Sequence, residues 1–249
     1  MDKLRYERKY LVPNDLIHDL RSRLMPFVEH DKNMLKSESG LMQYTVRSIY
    51  YDNRSLDFYN EKSAGVLLRR KFRIRSYNTY EPDKVVVFEI KRKIENRNKK
   101  HRSYFKYEHV NDVLQSGCIE DYILNPKQNE TQVDDARRFM YHVKKDFLHP
   151  SVLIVYEREA WHGKFNHGVR ITFDKNIRSI KYPCIEMLFE EGNFSYLFDR
   201  HFVLEIKYFK EPMPVWGKSL VKEFGLRHEA ISKYTLGFDA SIKRKMITY

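Results

Sequence analysis

Only two cysteines occur in 249 residues. Cys118 and Cys184 sit in unrelated contexts without metal-ligand spacing, so free buried thiols are expected rather than a disulfide framework or a thiolate metal site. The ten histidines form no HxxxH or HExxH pattern and are read as ordinary polar residues. No apolar run approaches the ~18 to 20 residues that cross a bilayer. The opening MDKLRYERKYLV lacks the apolar stretch of a secretory signal. The chain is therefore expected to be cytoplasmic, with no membrane segment of its own; a membrane partner stays open. Neither a repeat of fixed period nor a low-complexity tract is visible. An RNP-like aromatic motif and a helix-turn-helix cue are also missing, so nucleic acid is not expected as a partner.

What is present is apolar residues enough for a core, and basic charge. Hydrophobic residues make up 42% and charged residues 32% of the chain, a folded composition long enough for one large all-β or α+β domain or two small ones. The formal net charge is +12, and the segment Arg69–Arg102 alone holds 13 Lys and Arg against 4 Asp and Glu. Within it, Arg69, Lys71, Arg73 and Arg75 alternate. On a β-strand these would share one face, while Val66, Leu68, Phe72 and Ile74 pack on the other. Such a row repels itself in a partly dry cavity unless an anion is bound. Phosphate is the obvious candidate.

The same period of two recurs along the chain. Strands are expected at 4–12, 43–51, 65–77, 84–93, 102–107, 151–162, 167–175 and 201–209, and the main ones carry ionisable residues at i and i+2. Surface faces ordinarily mix signs and include Ser, Thr, Asn and Gln, whereas here Glu-x-Lys or Arg-x-Arg sits at the centre of apolar runs. In a closed barrel, inward residues alternate with outward ones along every strand, and charged inward faces would make a polar lumen. The spacing of Val133, Ala136, Met140, Val143 and Phe147 predicts a helix over 131–147. Others are expected near 14–25, 54–62, 214–224 and 230–246, with Gly237 weakening the last. The pattern reads as a single α+β domain over residues 1–249, an antiparallel barrel with helices packed outside.

Eight motifs in order, RYERKY at 5–10, YYDN at 50–53, RKFRIRSY at 70–77, FEIKRK at 88–93, YERE at 156–159, VRITFD at 169–174, LEIKY at 204–208 and ISKY at 231–234, resemble the VTC-domain polyphosphate polymerases. These belong to the triphosphate tunnel enzymes. The resemblance implies an eight-stranded antiparallel β-barrel enclosing a tunnel. It also implies transfer of the terminal phosphoryl group of ATP to a growing polyphosphate chain with a divalent metal, Mn²⁺ or Mg²⁺. By the same resemblance Arg73, Arg75, Arg158, Arg170 and Lys207 act on the transferred phosphates. Lys9, Lys91, Lys100 and Lys233 bind substrate, and Glu205 is the metal carboxylate. Arg102 competes with Lys100 for its role, and Arg69, Lys71 and Lys93 read equally well as rim charges. Related tunnel hydrolases begin with Glu-x-Glu-x-Lys. Here Arg5 replaces the first acid, leaving Glu7 and Lys9, which favours the VTC branch.

Phosphoryl transfer asks mainly for positioning and charge stabilisation. Arginine forks can grip non-bridging oxygens while lysines act as point charges. A terminal phosphate oxygen is already anionic, so no general base is assigned. The same residues would serve a triphosphatase in which water replaces the acceptor, or a module that binds polyphosphate or nucleotide without turnover; both stand as alternatives to the metal-dependent phosphotransferase.

Overall fold

The computed structural model describes residues 6–36, 40–94, 97–125, 131–166, 168–209 and 212–246; Arg5 lies outside them. In chain order, β1 (Tyr6–Pro13) is followed by α1 (Ile17–Leu24), β2 (Val28–His30), β3 (Leu35–Lys36) and β4 (Met42–Asp52). Helix α2 (Asp57–Ser63) precedes β5 (Leu68–Tyr77), β6 (Val85–Ile94) and β7 (Arg97–Lys106). Two helices, α3 (Val110–Ser116) and α4 (Thr131–Lys145), lead to β8 (His149–Gly163), β9 (Arg170–Lys181), β10 (Ser195–Tyr196) and β11 (His201–Tyr208). Helices α5 (Val215–Glu223) and α6 (Lys233–Met246) follow. The eight expected strands all form, and so do the five expected helices. Three short strands and the seven-residue α3 are too short for a period to be read.

Two compact units are formed, one from Met1–Thr45, Tyr156–Ile177 and Tyr196–Ser232, the other from Val46–Val155, Arg178–Ser195 and Lys233–Tyr249. Strands β4, β8 and β9 contribute residues to both. In the first unit β1 pairs antiparallel with β11, and β11 with β9. One sheet face packs Val12, Ile171, Phe173, Phe202, Leu204 and Ile206 against Leu20, Leu24 and Leu220 of the helices. In the second unit β4, β5, β6 and β7 form a consecutive antiparallel ladder. Its apolar face is aromatic: Phe72, Phe88 and Phe139 meet at centroid distances of 4.9 to 5.9 Å, with Phe58 5.0 Å from Phe72. Burying each such ring contributes roughly 1.5 to 3 kcal/mol.

The closed eight-stranded barrel is not among the described pairings. Among the described residues β1 has β11 as its one strand partner and β7 has β6. Local segments cover both edges instead. Tyr10 bridges to His228 and the Glu229 amide donates to the Lys9 carbonyl at 2.9 Å. On β7, the Arg102 amide donates to Asp135 at 2.8 Å and Phe105 bridges to Ile123.

Helix α6 keeps its continuity through Gly237 because the glycine is a contact surface. A Cβ there would lie 2.1 Å from Ile154 Cδ1 and 3.2 Å from Ser179 Cβ, and Ser179 Oγ donates to the Gly237 carbonyl at 2.8 Å. Close approach outweighs the local helix penalty of ~1 kcal/mol. Two expectations are corrected. Both cysteines are exposed rather than buried, since neither lies on the apolar face of an element. Val66 and Leu68 are also exposed, because β5 begins only at Leu68 and the apolar face starts with Phe72.

Candidate anion-binding sites

Strand register decides which charges meet. In the second unit, Lys71 on β5 lies directly opposite Lys91 on β6, and Lys91 opposite Lys100 on β7. Directly opposed residues on an antiparallel pair bring their Cβ atoms to ~4.5–5.5 Å, where like charges destabilise the sheet. One row further along, Arg73, Glu89 and Arg102 are aligned in the same way. Here the sign alternates. Glu89, 2% exposed, accepts from Arg73 Nη2 on one oxygen and from Arg102 Nε at 2.9 Å on the other. Burial alone would push the Glu89 carboxyl up, but Arg73, Arg75, Arg102 and Lys100 outweigh it and hold the group well below the usual carboxylate range.

Arg73 is engaged on two of its three nitrogens. Nη1 donates to the Tyr50 hydroxyl at 3.1 Å, whereas Nε is buried with no hydrogen-bond partner among the described residues. Its neighbour on the same face, Arg75, donates from Nε to Ser48 Oγ at 2.8 Å. Lys233 opens α6, the same helix whose Tyr234 hydroxyl bonds the Asp52 carboxylate. Asp52 also accepts from the amides of Phe58 and Tyr59 at 3.1 and 2.9 Å. The YYDN and SKY motifs are thus tied together through one buried acid.

The first unit carries a checkerboard. Glu7, Lys207 and Arg170 form one row across β1, β11 and β9, and Lys9, Glu205 and Thr172 the next. Lys207 pairs with Glu205, and Lys9 Nζ lies 2.9 Å from Glu7. Burial works against the charge on both lysines with opposite net results. At Lys9 the attraction of Glu205 and Glu7 overcomes burial and raises the ammonium. At Lys207 burial prevails and lowers it, with Arg158 adding like-charge repulsion. Arg158 spends its fork on Asp174, with Nε and Nη2 donating at 2.6 and 2.7 Å to an acid that is 0% exposed. Arg170 donates from Nη2 to Asp31 at 2.9 Å and to the Tyr44 hydroxyl at 3.1 Å. Its Nε is buried and unpartnered among the described residues.

The ten predicted residues therefore fall into two groups. Lys9, Arg158, Arg170, Glu205 and Lys207 gather in the first unit, and Arg73, Arg75, Lys91, Lys100 and Lys233 belong to the second. Sequence reasoning missed the acids that hold the arginines, Asp174, Asp31 and Glu89, and the phenol of Tyr50. Asp174 and Glu89 were legible as same-face neighbours of Arg170 and Lys91. Asp31, in a loop, gave no periodic signal. No group of three His, Cys, Asp or Glu side chains among the described residues gathers to hold a metal alone. Glu205, beside Lys207 and opposite Lys9, is a carboxylate that could share a cation with phosphate oxygens and water, a donor set that would suit Mg²⁺ or Mn²⁺.

The VTC domain family model matches residues 4–242. Among solved structures, the chain is similar to the Hippeastrum protein HpAC1, described as a candidate adenylyl cyclase with a dominant triphosphatase activity. Identity is 17%, the TM-score is 0.49, and the match covers 94% of each chain. Comparison with curated proteins gives no match.

Proposed function

This chain belongs to the VTC domain family, and from that premise we propose that it is an ATP-dependent polyphosphate polymerase. It transfers the terminal phosphoryl group of ATP to the end of a polyphosphate chain. The observation that carries the reading is the direct cross-strand opposition of cations, Lys71 to Lys91 to Lys100. A sheet selected for stability alone would not align like charges this way. A polyanion makes the alignment favourable.

In this reading Arg73, Arg75, Arg158 and Arg170 stabilise equatorial phosphate oxygens with their charge. Lys9 and Lys207 in the first unit, and Lys91, Lys100 and Lys233 in the second, hold phosphates as point charges. Glu89, Asp174 and Asp31 fix the arginine forks, so that little reorganisation accompanies reaction. Glu205 would hold Mn²⁺ or Mg²⁺ jointly with the substrate, and a bound divalent ion would neutralise charge developing on the transferred group. The single-domain organisation and a cytoplasmic setting belong to the same proposal.

The test is incubation of the purified protein with ATP and Mn²⁺ or Mg²⁺, with Glu205→Gln as control. A polymer digested by exopolyphosphatase, absent in the control, is the expected result. Release of orthophosphate without polymer would assign a tunnel triphosphatase instead, and saturable binding without turnover a polyphosphate- or nucleotide-binding module.

A further inference from the structure

Among the charged rows of the second unit one group has a chemistry unlike its neighbours. Tyr50, 7% exposed, stands directly opposite Arg73. Its hydroxyl oxygen accepts from Arg73 Nη1 at 3.1 Å, and the Arg73 guanidinium lies 5.8 Å from its ring centroid. On the other side the ring stacks on Tyr234 at 5.2 Å, and Lys71 lies 5.8 Å from that second ring. Arg73 faces Tyr50 across the strand pair, and Lys71 and Arg75 lie two residues to either side of Arg73 on the same face of β5. The carboxylates of this region are already engaged: Glu89 holds Arg73 and Arg102, and Asp52 accepts from the α2 amides and from Tyr234.

We infer that Tyr50 is a proton-exchanging member of the anion site: above neutral pH it stands largely as phenolate beside Arg73 while the site is empty and takes up a proton from solvent when a polyphosphate anion binds. The inference rests on the proposed reading of the basic rows as a phosphate site. Burial by itself would raise the phenol, but Arg73, Arg75 and Lys71 reverse this and bring it down to about 7. An anion delivered to the same cations cancels that attraction and restores the neutral phenol. By linkage, substrate affinity and Tyr50 protonation depend on each other reciprocally. The balance is simple: phenolate plus a solvent proton gives phenol, with no bond to phosphorus involved.

The experiment is calorimetric titration with tripolyphosphate at pH 8, in buffers of differing ionisation enthalpy, on the native protein and on Tyr50→Phe. The native protein should take up about one proton more per bound tripolyphosphate than the variant, since a phenol with its pKa one unit below the pH is about nine-tenths ionised. Protonation of tripolyphosphate itself is common to both and cancels in the difference. In parallel, the near-ultraviolet absorbance of tyrosinate in the native protein should fall on binding, a readout that does not need the variant to fold. Binding with no loss of tyrosinate and equal proton uptake in both proteins would overturn the inference while leaving the phosphate site standing. Absence of binding altogether would overturn both.

Discussion

Lys91 and Lys100 face each other at directly paired positions on β6 and β7, and Lys71 faces Lys91 from β5. Three ammonium groups abreast cost a sheet roughly 0.2–1 kcal/mol per directly opposed pair. Lys91→Gln is therefore expected to raise the melting temperature of the ligand-free protein by a few degrees. The same substitution should weaken tripolyphosphate binding measured by calorimetry. Native protein should in turn gain stability with tripolyphosphate, about 2.7 kcal/mol at a hundredfold excess over Kd, and the variant less at the same concentration. A variant that is less stable and binds equally well would show the row to be a solvated surface.

Glu89 has the opposite signature. It neutralises Arg73 and Arg102 from a position 2% exposed; its removal strands Arg73, while Arg102, 44% exposed, can turn to solvent, so the cost falls below the ~3–5 kcal/mol of a fully buried pair. Glu89→Gln should lower the denaturant midpoint accordingly at neutral pH. Its carboxyl is depressed in the folded state despite burial, by Arg73, Arg75, Arg102 and Lys100, so the folded protein binds fewer protons there than the unfolded chain. The stabilisation is then complete above the unfolded glutamate pKa of about 4.3 and is lost as pH falls below it. Measured against pH, the gap between native and variant proteins should be constant near neutrality and narrow below about pH 4.3. A gap that widens with acid would contradict the ion-pair assignment.

How much of this was readable beforehand follows from where each signal lies. Alternation in a strand is a property of a few adjacent residues, so β5 with Arg73 and Arg75 and β11 with Glu205 and Lys207 were legible from the chain alone. Register is not local. That Lys71, Lys91 and Lys100 align, or that Glu89 meets both Arg73 and Arg102, depends on which residue of β6 faces which of β5 and β7. Asp31, in the loop after β2, reaches Arg170 across 139 positions of sequence, and no periodicity could announce it. Gly237 reads as a helix weakness from propensity alone, yet Ile154 and Ser179 make it a necessity of packing.

Arg73 and Arg170 each have an acid partner that keeps a second support. Glu89 retains Arg102, and Asp31 retains Asn33 and His162. Neither acid is stranded when its arginine is removed. Arg73→Ala and Arg170→Ala are thus expected to fold, with circular dichroism spectra like the native protein, while ATP turnover falls by ~10²–10³ per lost charge-stabilising donor. Lysine at either position restores the charge without the fork and should recover only part of that loss. Full activity in both alanine variants would remove these arginines from the site.

The pairing of Glu205 with Lys207 and its register position opposite Lys9 separate binding from turnover in a way that metal removal can expose. In the proposed reading the cations attract polyphosphate without any metal, whereas a divalent ion would have Glu205 as its protein carboxylate and would take its remaining ligands from substrate and water. Chelation should therefore abolish ATP turnover while tripolyphosphate still binds, and added Mn²⁺ or Mg²⁺ should restore activity. Glu205→Gln should bind tripolyphosphate at least as tightly as the native protein, because it removes a negative charge from between two lysines, yet stay inactive when metal is restored. If the variant instead recovers native turnover at high metal, Glu205 is a structural counter-charge for Lys9 and Lys207, and the metal site lies elsewhere. Loss of tripolyphosphate binding on chelation would place the metal in the binding step itself, ahead of the lysines.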